Sequence, residues 1–199
     1  MKTIDLGIKK PKSSGFTLAE TLAVIILVGV IASLAVPNFF KFIANYTLKS
    51  SANELYQAVS RAQAYSVQRR ENWQFSLRSS NGVLQYAVHR ATLDPNTNAT
   101  SIQWNSLPSN INLNSETNLS QPTSGIYQVC FSDQGLPSTP SGSPQSCTYP
   151  ASFNAPQQIT LGISGLAQYR RCIIISTLLG ALTTGQEQAT PNSNGKSCY

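Results

Sequence analysis

The stretch KSSGFTLAETLAVIILVGVIASLAVPNFF, residues 12–40, constrains this chain more than any other. From Phe16 to Val36 it runs for 21 residues, and Glu20 is the only charge. As a helix rising 1.5 Å per residue it spans about 31 Å, close to the roughly 30 Å of a bilayer hydrocarbon core. A carboxylate inside such a core costs roughly 2.5–3.5 kcal/mol on insertion scales. A chain that keeps one there needs a partner for it. Lys2, Lys9, Lys10 and Lys12 precede the run. They hold the short N-terminus in the cytoplasm and send the rest of the chain outside.

Three readings of this segment compete. It is a signal anchor, a secretory signal peptide cut after Ser33-Leu34-Ala35, or a segment processed before its apolar run at Gly15–Phe16. Neither of the first two needs a carboxylate in the apolar stretch, and Glu20 weakens both.

Composition bears on the compartment. Of the 199 residues only 11% are charged, and the net charge is +6. Half of that excess lies in residues 1–15, so the basic balance reflects targeting as much as a binding surface. Cysteines fall at 130, 147, 172 and 198, with no CxxC pair, and His89 is the only histidine. Widely spaced, even-numbered cysteines read as two disulfides in an oxidising compartment. Four cysteines allow three connectivities. The expected one is Cys130–Cys147, closing a Ser/Pro/Gly-rich loop, with Cys172–Cys198 tying a polar tail back onto a strand.

Gly15-Phe16-Thr17-Leu18-Ala19-Glu20, with lysines before it and an apolar run to Pro37 after it, resembles the class III signal of type IV pilins and type II secretion pseudopilins. The resemblance implies a membrane aspartyl prepilin peptidase that cuts between Gly15 and Phe16, followed by methylation of the Phe16 amine. A side chain in place of Gly15 would obstruct that cleavage. Glu20 becomes the fifth mature residue, and in the family that carboxylate pairs with the N-terminal amine of a neighbouring subunit. Both charges lie in apolar surroundings, so a subunit out of register leaves two charges unmatched. A plainer alternative pairs Glu20 with its own chain's amine or lets it reach the membrane interface.

Past Pro37, Leu48, Ala52, Leu55, Val59 and Ala62 recur at spacings of 4, 3, 4 and 3. This is the apolar stripe of a helix reaching about residue 70, read as core packing. Arg61, Arg69, Arg70 and Arg78 read as a solvated face. Trp73–Arg78 and Val83–Val88 alternate around Ser79-Ser80-Asn81-Gly82 and read as a β-hairpin. Further strands are expected near Ile102–Trp104, Ile111–Leu113, Gly125–Ser132, Gln157–Ser164 and Gln168–Ser176. Residues 133–156 read as a long loop, and the chain from Gly185 as a polar tail.

The expected fold class is α+β: a long N-terminal helix, transmembrane in its first half, packed on a mainly antiparallel globular domain. Its parts are a leader at 1–15, an assembly helix at 16–36, an amphipathic half at 37–71 and a β-rich domain at 72–199. ELYQAVSRAQAYSVQRRENWQFSL and ITLGISGLAQYRRCIIIS resemble the GspH/FimT branch of minor pilins and pseudopilins. That branch implies a low-abundance filament subunit whose partners are other pilins, the prepilin peptidase and the inner membrane. Some members of its FimT side bind DNA for natural transformation through basic residues toward the C-terminus. The candidates here are Arg170, Arg171 and Lys196, few for an affinity built on counterion release.

No catalytic constellation, phosphate loop or metal spacing stands out, so neither an enzyme nor a cofactor is expected. A serine-type site is possible only around His89, which reads as a surface residue at a strand end.

Overall fold

The computed structural model describes residues 15–123, 125–141, 146–147 and 155–199. The expected leader falls outside these residues except for Gly15. The chain divides into two compact units, Met1–Phe42 and Ile43–Tyr199. One helix, α1 (Leu18–Arg69), runs through both.

In the first unit Thr17 caps α1. Its Oγ1 accepts from the Glu20 amide at 3.3 Å, and its carbonyl accepts from the amides of Glu20 and Thr21 at 3.1 Å. Thr-x-x-Glu is the capping-box spacing, and an acid in the first turn suits the helix dipole. No single helix among the described residues is long and apolar enough to cross a membrane. The pieces Leu18–Ser33 and Asn38–Arg69, either side of a break at residues 34–37, meet that requirement together by length and composition. The break contains Pro37, where loosening is expected because proline removes a helix hydrogen bond.

The second unit is α+β, and its named strands pair antiparallel. The order is β1 (Trp73–Ser80), β2 (Val83–Arg90), β3 (Asn105–Ser106), β4 (Ile111–Leu113), β5 (Ser120–Thr123) and β6 (Ile126–Phe131). There follow β7 (Pro137–Ser138), β8 (Pro140–Ser141), β9 (Ser146–Cys147), β10 (Gln157–Ile163), β11 (Leu166–Ile175) and β12 (Leu182–Gln186). One sheet runs β3-β2-β1-β6-β5, with β7 also on β6. A second runs β12-β11-β10-β4, and β8 pairs with β9 alone.

The stripe on α1 holds these sheets together. Leu48, Ala52, Leu55, Ala58, Val59 and Ala62 are buried, in one cluster with Phe75 and Leu77 of β1, Val129 and Phe131 of β6, Ile159 and Leu161 of β10, and Ile173 and Ile175 of β11. Burying such a side chain contributes about 1.5–3 kcal/mol. On β1, β6, β10 and β11 these residues are all odd-numbered, as a period of two requires when one face meets the helix. Tyr86 on β2 reaches α1 with its hydroxyl, donating to Glu54 at 2.7 Å. Burial first, then that carboxylate, push its pKa up to about 12.

The hairpin forms where the turn signal sits. Asn81 and Gly82 both have positive φ, 52° and 76°, as the type I′ turn of a two-residue loop demands. Elsewhere the expectations need correction. Ile102–Trp104 is not a strand; β3 begins one residue later. Ile102 is buried instead, and the Arg78 guanidinium lies 3.8 Å from the Trp104 ring centroid. Arg78 is thus not simply solvated, nor is Arg69, which stacks on Tyr65 and Trp73. Part of the expected loop at 133–156 forms β7, β8 and β9, while residues 142–145 and 148–154 lie outside the described residues. The segment from Gly185 is not a loose tail. It completes β12, and Glu187 bridges to Cys198.

The disulfides are Cys130–Cys147, with Cα atoms 5.7 Å apart, and Cys172–Cys198, at 6.0 Å. The second lays Tyr199 across Gly185, where a Cβ would stand 2.7 Å from the Tyr199 carbonyl carbon. Only glycine admits that crossing.

Candidate functional site

Three places carry the residues of interest. The first is the start of α1. Gly15 and Phe16 precede the helix and are exposed. Glu20 is exposed in the first turn, and among the described residues its carboxylate has no ion pair. Around and beyond it the apolar side chains face outward, with Leu18 at 84% exposure and Ile25 at 70%. Exposed apolar surface on this scale requires a cover, because each Å² left in water costs about 25 cal/mol.

The second is the C-terminal cation group. Arg170 Nη1 donates to Glu116 Oε1 at 2.6 Å, and Arg170 Nε lies 3.3 Å from Glu187 Oε2. Glu116 also accepts from the amides of Ser197 and Cys198, at 3.1 and 3.2 Å. One carboxylate thus neutralises Arg170 and pins the last turn of the chain. The Lys196 Nζ is buried without a hydrogen-bond partner. Burial lowers its pKa, and nearby Glu116 opposes that. Arg171 bonds Gln186 Oε1 at 2.8 Å and, with Lys49, lines a groove of about 390 Å³ beside Asn53, Gly185 and Tyr199. The structure therefore does not gather Arg170, Arg171 and Lys196 into one solvent-facing patch. Glu116, 54 residues before Arg170, was not singled out from the sequence, and no local pattern marks it.

The third is the face of β1, β2 and β6 turned away from α1. His89 lies here and is only 5% exposed, which overturns its reading as a surface residue. Ser76 Oγ stands 2.9 Å from His89 Nε2, and His89 Nδ1 stands 2.9 Å from the Arg90 carbonyl. A carbonyl only accepts, so Nδ1 carries the proton and Nε2 accepts from the Ser76 hydroxyl. Gln74 Nε2 donates to Ser76 Oγ at 3.2 Å. Burial, the largest influence, lowers the His89 pKa; the Arg90 carbonyl and Asp94 act the other way. The sequence held a signal for this contact. A two-residue turn at Asn81-Gly82 sets Gln74 opposite His89 and Ser76 opposite Ala87, so Ser76 and His89 share a face as diagonal neighbours.

Among the described residues no group of three or more metal-ligating side chains comes together. No protein-family model, curated protein or solved structure matches the chain.

Proposed function

We propose that this chain is a minor subunit of a type IV pilus or a type II secretion pseudopilus. It is cut between Gly15 and Phe16, methylated on the Phe16 amine, and held in the inner membrane by residues 16–36 until assembly. The β-rich domain stays outside the cytoplasm throughout. The observation that carries this reading is an outward-facing apolar helix headed by Gly-Phe-Thr-Leu-Ala-Glu and interrupted by one carboxylate up to residue 40. Such a helix is costly in water and stable in lipid or among copies of itself.

Glu20 does two jobs in this scheme. Inside one chain it suits the helix start. In a filament it receives the amine of the neighbouring Phe16, and the pair fixes the axial register. Glu20→Ala is expected to leave membrane insertion intact and to lower the amount of this chain in sheared filaments. Equal amounts of variant and wild type there would remove the pairing role. The short β7–β9 region and the disulfide-tied C-terminal segment suit a subunit at a filament end. If quantitative proteomics found this chain to be the most abundant pilin-like protein in purified filaments, it would be a major subunit instead.

A further inference from the structure

Ser76 and His89 form a nucleophile and base that no filament role uses, and both are buried. Ser76 is 0% exposed, so no external substrate reaches its hydroxyl. An electrophile for it would have to come from the protein itself. The residue opposite Ser76 on β6 is Gln128, also 0% exposed. Directly opposed side chains on one sheet face have Cβ atoms about 4.5–5.5 Å apart. A serine Oγ one bond from its Cβ and a glutamine Cδ two bonds from its own can meet across that gap. Both the Oε1 and the Nε2 of Gln128 lack a hydrogen-bond partner. A buried polar group without a partner is destabilising. The Gln128 amide is therefore enclosed by the fold and has no hydrogen bond to stabilise it as an amide.

We propose that Ser76 and Gln128 join in a side-chain ester that the folded protein forms on itself, with His89 as the base. His89 Nε2 takes the proton of the Ser76 hydroxyl. The Oγ electron pair forms a bond to Cδ of Gln128, and the Cδ–Nε2 bond then breaks. The nitrogen leaves with the proton that His89 gives back, as ammonia. Hydroxyl plus carboxamide becomes ester plus ammonia, nothing is oxidised or reduced, and His89 ends neutral. Its Nδ1–H stays on the Arg90 carbonyl and fixes the ring.

An amide is a poor electrophile, but fixed neighbours reach effective molarities on the order of 10⁵–10⁸ M. Burial keeps His89 unprotonated and ready as a base at neutral pH. It also excludes the water that would hydrolyse the product. The ester removes the two unpaired N–H donors of Gln128 and ties β1 to β6. That link sits two residues from Cys130, whose disulfide reaches Cys147. The inference does not depend on the proposed filament role.

The test is mass spectrometry of the purified, folded, full chain after reduction and proteolysis. The expected result is a cross-linked pair of peptides containing Ser76 and Gln128, lighter than their sum by one ammonia. Succinimides at Asn81-Gly82 or Asn194-Gly195 also lose ammonia, so Ser76→Ala is the control and should abolish only the cross-link. Separate Ser76 and Gln128 peptides at full mass would overturn the proposal. So would a cross-link between the same two peptides that survives in Ser76→Ala. Should that variant fail to fold, the wild-type peptide map decides alone.

Discussion

Arg170 and Glu116 meet at 2.6 Å across 54 residues of sequence, and that contact decides what the C-terminal cations are free to do. Arg170 supports the fold, and Glu116 holds the amides of Ser197 and Cys198 as well. Glu116→Ala takes the acceptor from Arg170 Nη1 and from two amides, and leaves Arg170 paired with Glu187 alone. Breaking a fully buried pair costs about 3–5 kcal/mol. Here the side chains keep 24% and 15% exposure, so about 2–3 kcal/mol is expected, read by chemical denaturation. A loss below about 0.5 kcal/mol, the range of ordinary surface changes, would contradict the structural role.

The same contact sets an expectation for DNA. With Arg170 paired and the Lys196 Nζ buried, Arg171 is the remaining candidate, and useful affinity needs several phosphate contacts. Retarded DNA migration is therefore not expected at physiological salt. Salt-sensitive retardation that disappears on changing Arg170 and Arg171 would restore a DNA-binding role.

His89 makes stability depend on pH. Burial puts its folded pKa below the ordinary 6.5, so between the two values the unfolded chain binds a proton that the folded chain refuses. Its contribution is fully present above pH 6.5 and is lost as the pH falls below it, by at most about 1.4 kcal/mol per pH unit. The negative charge of Asp94 softens the loss. The thermal midpoint should fall between pH 7.5 and pH 5, and His89→Gln should flatten that fall. A wild-type midpoint unchanged over this range would show that His89 titrates normally.

The two units give one helix two opposite sensitivities. Leu55 is fully buried, and Leu22 is 57% exposed. Leu55→Ala should destabilise the domain by about 2–5 kcal/mol. Leu22→Ala should change it by no more than about 0.5 kcal/mol. Denaturation in detergent, followed by fluorescence of the buried Trp73, separates them. Equal losses would contradict the assignment of the core to the second half of α1.

What could be read in advance was set by short-range physics. The stripe Leu48–Ala62 follows helical period, the Asn81-Gly82 turn fixes a hairpin register, and the run of alternating residues at Gln157–Ile163 matches a strand. Those signals lie within a few residues of the structure they specify. The Glu116–Arg170 pair, the burial of His89 and the bridge from Glu187 to Cys198 do not. Each depends on which segments the sheets bring together, and polar residues carry no periodic mark of that choice. Ile102 shows the same limit: an apolar residue between polar ones marked burial correctly but not a strand. The cysteine pairing could be proposed because Cys130 and Cys147 flank a Ser/Pro/Gly-rich segment and Cys198 lies in the polar segment after the Cys172 strand.

The proposed processing fixes the first residue of the mature protein. Gly15 and Phe16 stand before the helix, exposed, at the point where the Phe-Thr-Leu-Ala-Glu segment begins. Mass spectrometry of the chain recovered from its native membrane measures this directly. The expected mature chain begins at Phe16 and carries one methyl group on its amine. A chain beginning at Val36, or one that keeps Met1, would contradict the proposed processing and with it the filament role built on Glu20.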